Sequence, residues 1–345
     1  MMKILVSGCA GFIGYFLCNR LLENKNNIVI GIDNLNDYYD VSLKNERLNN
    51  LKKYNNFTFF KIDICSKNEI DDLFKKYHFD YVINLAAQAG VRYSIDHPDV
   101  YIQSNIIGFY NILEACRYNP VKHLVYASSS SVYGGNTKIP FSINDKVDNP
   151  VSLYAATKKC DELLAYSYSK LYNIPTTGLR FFTVYGPMGR PDMAYFSFTN
   201  KLIKDETIEI FNYGNCKRDF TYIDDIVEGI IRVINKAPEM KARNDINPPC
   251  KIYNIGNSHP EDLMEFVTIL SEELIKAKVL PSNFDINSHI KLMPMQKGDV
   301  PITYADISEL EKDFGYKPST KFRDGLRKFA KWYKSFYFEG KKYEK

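Results

Sequence analysis

Through the first half of the chain, short apolar runs alternate with stretches whose apolar positions recur at helical spacing. The runs predict strands over 3–7, 28–33, 57–62, 80–85, 122–128 and 175–181, and the helical stretches fill 12–24, 66–77, 97–118 and 152–173. Tyr81-Val-Ile-Asn-Leu85 and His123-Leu-Val-Tyr126 lack the polar alternation of half-exposed strands. They read as parallel strands covered by helices on both faces. Strand and helix in regular succession make βαβ units.

The fold class that follows is α/β, a Rossmann-like doubly wound parallel sheet with a smaller α+β C-terminal lobe. After residue 181 glycine, proline and aromatic residues become frequent, and apparent strands such as Ile208–Tyr213 and His289–Met293 stand isolated. We therefore expect a dinucleotide-binding domain over 1–181 and a substrate lobe over 182–221 and 238–345. Helix 224–236 is apolar enough that the segment 222–237 should pack back on the sheet. No internal repeat or low-complexity segment is evident.

Composition narrows the function classes. With 45% hydrophobic and 25% charged residues among 345, the chain falls in the ordinary globular range. A net charge of +4, with only short lysine pairs such as Lys52–Lys53, Lys75–Lys76 and Lys341–Lys342, argues against nucleic acid as a partner. Seven cysteines are scattered without a CxxC pair, the expectation for free thiols in a reducing, cytoplasmic setting. Five histidines form no ligand spacing, so no catalytic metal is expected. The apolar start Lys3-Ile-Leu-Val-Ser7 breaks at a glycine turn, reading as a first strand rather than a signal peptide. No run approaches the ~20 apolar residues of a membrane span.

Ser7-Gly8-Cys9-Ala10-Gly11-Phe12-Ile13-Gly14 follows the first strand and opens a helix. Small residues there permit a tight turn, let the backbone approach a pyrophosphate, and aim helix N–H groups at its charge. The spacing is GxxGxxG, a variant of the dinucleotide signature, and its place between strand and helix separates it from a mere structural turn. Asp33 ends the second strand, 19 residues beyond Gly14. A carboxylate there accepts the adenosine ribose hydroxyls and repels a 2′-phosphate, which favours NAD over NADP. Asp63 and Ile64 suit an adenine contact, although such a pair proves nothing alone.

Tyr154-Ala-Ala-Thr-Lys158 begins a strong helical pattern with Ser152 as its expected N-cap. Spacing of four puts the phenol and the ammonium on one face. A free tyrosine, with a pKa near 10, is a poor base at neutral pH. An ammonium ~4 Å away, at an effective dielectric of ~20, stabilises the phenolate by about 4 kcal/mol, enough to lower that pKa by ~3 units. Taken alone, the pair would better suit an amphipathic helix surface. The run Ala127-Ser128-Ser129-Ser130-Ser131-Val132-Tyr133-Gly134 changes this, because it follows the fifth strand and brings hydroxyls to the carboxyl edge of the sheet.

The glycine turn, Asp33, Asn84-Leu-Ala-Ala87, the serine run and Tyr154-x3-Lys158 together resemble the extended short-chain dehydrogenase/reductase family over essentially the whole chain. The resemblance implies tightly held NAD and a nucleotide-linked sugar as substrate. By motif it assigns Ser129, Tyr154 and Lys158 to catalysis. It assigns Gly8, Gly11, Phe12, Ile13, Gly14, Asp33, Asn34, Asp63, Ile64, Leu85, Ala86, Ala87, Asn105 and Phe181, with Tyr154 and Lys158, to the cofactor. Dehydratases of the family carry Asp-Glu, and decarboxylases a Glu, where this chain has Ser130 and Ser131. Simple epimerisation remains.

Thr183-Val-Tyr-Gly-Pro-Met-Gly189-Arg190-Pro191-Asp192, Lys217-Arg218-Asp219-Phe220 and Met293-Pro-Met-Gln-Lys-Gly-Asp299 are similar to UDP-glucuronate 4-epimerases. Lys297 departs from that pattern, which has proline there. The resemblance implies a UDP-uronate substrate passing through a 4-keto sugar whose C5 carboxylate is prone to leave as CO₂. The expected substrate contacts are Arg92, Ser129, Ser130, Thr183, Arg190, Arg218 and Asp299. Ser130 and Thr183 would hold the carboxylate, Arg190 would supply charge and Arg218 would meet the pyrophosphate. A 4-epimerase of UDP-glucose or a UDP-N-acetylhexosamine stays open, as does an NAD-sensing or scaffolding protein without catalysis. Apolar stripes on 97–118 and 152–173 suggest a homodimer through a four-helix bundle, though the same stripes also suit a core.

Overall fold

The computed structural model describes residues 1–239, 247–295 and 301–340. Seven parallel strands form the central sheet: β1 (Met2–Ser7), β2 (Asn27–Ile32), β3 (Phe57–Phe60), β4 (Tyr81–Asn84), β5 (His123–Ser129), β6 (Thr176–Phe181) and β7 (Cys250–Ile255). Their order is 7-6-5-4-1-2-3, so the winding reverses between β1 and β4. In register, Ile30, Leu5, Val82 and Leu124 form one row across four strands, and Gly31, Val6, Ile83 and Val125 form the next. Successive side chains point to opposite faces. The first row therefore packs with Ile70 and Phe74 of helix Lys67–Tyr77 and with Phe109 and Ile112 of helix Gly108–Tyr118. Its neighbour packs with Phe16 and Leu17 of helix Phe12–Leu22 and Ile226 and Ile230 of helix Ile223–Ile234. Burial on both faces explains why these strands read as unbroken apolar runs.

The six expected strands and the helices Phe12–Leu22, Lys67–Tyr77, Leu153–Tyr172 and Ile223–Ile234 fall within a few residues of their expected limits. Three features differ. Helix Val41–Leu51 fills the β2–β3 crossover; its sequence is too polar to show a stripe, and capping by Asp40, which accepts from the Ser42 amide at 2.8 Å, starts it. The segment assigned to the second lobe returns β7 to the edge of the central sheet beside β6. The stretch 98–118 runs through Pro98–Tyr101, a π-helical Ile102–Ile107 and Gly108–Tyr118.

The second lobe centres on strand Lys217–Tyr222, parallel to Thr183–Tyr185 and Ile302–Thr303 and antiparallel to Pro260–Asp262. Ile208–Ile210 and Ile290–Leu292, which the sequence leaves isolated, pair with each other. The buried Asp219 carboxylate ties this sheet to the loop after β7 and to Ala305, accepting from the amides of Asn257, Ser258 and Ala305 at 2.7, 3.0 and 2.9 Å. No helix among the described residues is long and apolar enough to cross a membrane.

Candidate active site

A cleft of about 1160 Å³ opens over the carboxyl ends of β1 and β4, where the winding reverses, and extends to the second lobe. Open α/β sheets hold ligands at this switch point. The glycine turn forms its floor. Gly8 sits at φ +71°, and a β-carbon on it would lie 2.8 Å from the Ala86 amide nitrogen. One on Gly14 would fall 2.1 Å from the Gly8 carbonyl oxygen, so the chain folds on itself too closely for any side chain. Helix Phe12–Leu22 begins at Gly11, which offers no side chain to its first N–H groups. That leaves donors and the positive end of the helix facing the cleft, as a pyrophosphate requires.

Next to this turn, buried Asp33 accepts from the Leu35 amide at 2.9 Å and the Ala10 amide at 3.2 Å. The carboxylate is thereby aimed along the cleft wall. Asp63 accepts from Asn34 Nδ2 at 2.8 Å and from the Cys65 amide at 2.9 Å, which holds its carboxyl below the usual range despite burial. Ile64, Asn34, Leu85, Ala86, Ala87 and Phe181 also line the cleft. Asn105 does not. Its amide group instead clamps the Gln88 backbone, accepting from N at 2.8 Å and donating to O at 3.0 Å, and donates to Thr157 Oγ1 at 2.9 Å. It shapes the cleft wall from behind.

Tyr154, Lys158 and Ser129 meet in the same cleft. Ser152 caps the helix that carries the first two, accepting from the Ala155 amide at 3.1 Å. Tyr154 stands edge-on to the Tyr101 ring, with centroids 6.0 Å apart. The Lys158 ammonium donates to the Ala127 carbonyl at 3.0 Å, which fixes it to β5. Ser128 and Ser129 both line the cleft; Ser128 donates to Glu162 at 2.7 Å, and Ser129 donates to Ser131 Oγ at 3.1 Å.

At the far side, Ser130, Thr183, Arg92, Arg190 and Arg218 line the cavity. Arg190 is already paired: Nε and Nη2 donate to the two Asp192 oxygens at 3.0 and 2.5 Å, and Tyr38 donates to the same carboxylate at 3.2 Å. Arg92 stacks over the Phe211 ring at 5.5 Å, linking the first lobe to the second. Arg218 donates to the Lys217 and Pro301 carbonyls at 3.0 Å. Asp299 and Lys297 lie outside the described residues.

Sequence reasoning missed several residues. Lys44 lines the cleft and donates to Asn36 O and Oδ1 at 2.8 Å; burial lowers its ammonium pKa and the Asp33 charge partly restores it. Fully buried Arg47 joins the two lobes, donating to the Ala10 carbonyl and to the Met188 carbonyl at 2.7 Å each. Both stand on the unrecognised helix Val41–Leu51, and their three-residue spacing there was the available signal. Buried Glu162 pairs with Arg180 of β6.

Residues 4–256 match the family described as "NAD dependent epimerase/dehydratase family". The chain belongs to that family. Among its relatives, Protein CapI of Staphylococcus aureus is 50% identical over 344 residues, covering 97% of this chain and 99% of that one. UDP-glucuronate 4-epimerase 4 of Arabidopsis thaliana is 46% identical over 349 residues, covering 98% of this chain and 77% of that one. The crystal structure of UDP-glucuronic acid 4-epimerase from Bacillus cereus, in complex with UDP-glucuronic acid and NAD, superposes with a TM-score of 0.85. It is 32% identical and covers 97% of this chain and all of that one. The cleft of this family member fits the dinucleotide that the family's name implies. Side chains at positions 8 and 14 would fill the cradle, the uncapped helix start faces a phosphate, and Asp33 stands where an adenosine ribose would lie.

Proposed function

We propose that this enzyme interconverts UDP-glucuronate and UDP-galacturonate by reversible 4-epimerisation, with NAD held tightly in the cleft. The observation that carries the reading is the convergence of Tyr154, Lys158 and Ser129 with the neutral hydroxyls of Ser130, Ser131 and Thr183 in one cavity. The relatives named for this reaction support it.

Tyr154 takes the proton from the sugar O4, and Lys158 stabilises the phenolate that accepts it. Bound NAD supplies the hydride acceptor and donor at C4. The Ser129 hydroxyl donates to O4 and keeps it within reach of Tyr154. Once the 4-keto sugar has turned about its phosphate linkage, Tyr154 returns its proton to the oxygen on the opposite face. The net reaction is an inversion with no overall redox change.

During the turn the sugar carries a carboxylate on C5 beside the C4 ketone, a β-keto acid. It keeps its CO₂ only if the bond to the carboxylate stays out of line with the carbonyl π system. Ser130 and Thr183 fix that group with neutral donors. Arg190, expected to supply charge to this group, is instead compensated by Asp192 and adds no net charge to draw electrons from it. Arg92, beside Phe211, and Arg218 at the second lobe serve the nucleotide part.

The cytoplasm is the expected setting, and two copies pair through the helical segments 97–118 and 152–173 as a homodimer. What supports the pairing is the exposure of Leu163, Tyr166 and Leu171 on one segment and Ile102, Ile107 and Tyr118 on the other.

A panel of UDP-glucuronate, UDP-glucose and UDP-N-acetylglucosamine tests the substrate. Turnover should fall at least about tenfold when the C6 carboxylate becomes CH₂OH, the cost of losing roughly one good polar contact. Equal or better turnover of UDP-glucose would make the chain a hexose epimerase instead.

A further inference from the structure

Lys158 carries a partner that the reaction does not require. Its ammonium donates to Asp161 Oδ2 at 3.1 Å as well as to the Ala127 carbonyl at 3.0 Å. Both side chains of this ion pair are 3% exposed or less. The other Asp161 oxygen, Oδ1, is buried with no hydrogen-bond partner among the described residues. A carboxylate in that state is only half satisfied, and it sits one helical turn from the cation on which the Tyr154 phenolate depends.

The charges around the pair are few. On the same helix Glu162 is held by Arg180 of β6, with Nε to Oε1 at 2.8 Å and Nη2 to Oε2 at 2.9 Å, and Lys159 lies 3.6 Å from it. Cys160 precedes Asp161 on the helix, Tyr126 faces it from β5, and Cys250 of β7 stands beyond Tyr126. Glu162 disfavours the Asp161 charge, and among the described residues Lys158 is the group that favours it. Burial pushes the carboxyl up to about 7 even against that pull.

We propose that Asp161 is a positioning residue that tethers Lys158 and cancels part of its field, so that a proton on Asp161 strengthens the hold of Lys158 on the Tyr154 phenolate. The inference rests on the assignment of Tyr154 as the base. Ionised Asp161 leaves the lysine end of the site with little net charge. Protonated Asp161 leaves it with one full positive charge. The site is thereby buffered against loss of activity as pH falls.

Asp161→Asn tests this, because its amide oxygen still accepts from Lys158 while the negative charge is removed. The readout is the acid limb of kcat/KM for UDP-glucuronate epimerisation against pH. The limb should move to lower pH by up to about one unit, the effect of a unit charge roughly 10 Å away at an effective dielectric of ~20, and become a single-proton titration. An unmoved limb, or a uniform loss at every pH, would overturn the proposal. Should the asparagine variant fold poorly, Asp161→Ser carries the same expectation. Tyr154→Phe separates the two layers of the argument: full activity in that variant removes the base, whereas an inactive Tyr154→Phe with an unmoved Asp161→Asn limb removes only the role of Asp161.

Discussion

Glu162 and Arg180 meet as a buried bidentate pair, with nitrogen–oxygen distances of 2.8 and 2.9 Å. Arg180 also donates to the Tyr133 hydroxyl at 3.0 Å, and Tyr133 donates to Asn254 Oδ1 at 2.6 Å. With the 2.7 Å bond from Ser128, this network fastens the helix bearing Tyr154 to β5, β6 and β7 at once.

Removing one member strands a charge in a dry interior. Glu162→Ala should lower unfolding stability by about 3–5 kcal/mol, the usual cost of an orphaned buried ion. Urea titration checks it. A loss under about 1 kcal/mol would mean that water reaches Arg180.

A methyl group at the cofactor turn should act on binding more than on folding. In Gly14→Ala the added carbon meets the Gly8 carbonyl, and the turn must open. A displacement that costs even about 1.4 kcal/mol lowers affinity tenfold. Chromatography of the nucleotide released on denaturation should find the variant largely empty, and full NAD occupancy would contradict the close approach.

His123 gives the fold an acid sensitivity. It is fully buried, its ring bonded to Thr177 Oγ1 at 2.8 Å, and burial pushes the imidazole down to about 4. The unfolded residue titrates near 6.5. Between those values the unfolded chain binds the extra proton, so stability is complete above about pH 6.5 and declines towards pH 4, by up to about 3 kcal/mol. Urea midpoints of wild type and His123→Gln across pH 7 to 4.5 check this. The variant should show the shallower slope, and parallel slopes would exclude His123 as the cause.

The sequence reveals what repetition and spacing encode. Buried strands such as Tyr81–Asn84 appear as apolar runs because both faces are covered, and the glycine turn appears because no other residue fits it. The helix Val41–Leu51 does not, because three leucines on a polar segment make no stripe; Lys44 and Arg47 went unseen with it. Strand Cys250–Ile255 was hidden by distance, since its partner β6 lies some seventy residues earlier and nothing local marks an edge strand. Asn105 shows a third limit. Its motif position suggests a cofactor contact, whereas its bonds to Gln88 are set by the tertiary fold. That Ser129, Tyr154 and Lys158 share one cleft was legible because four-residue helical spacing and a strand-end serine run translate directly into proximity.

The central claim is reversible hydride transfer at C4 of a UDP-uronate with Tyr154 as the acid–base group. Proton NMR of the NAD-loaded enzyme incubated with UDP-glucuronate in D₂O tests it most directly. The account predicts the anomeric signal of UDP-galacturonate, growing to equilibrium with hydrogen retained at C4 and C5, and its absence in Tyr154→Phe. A UDP-pentose product, deuterium at C5, or undiminished turnover by Tyr154→Phe would contradict it.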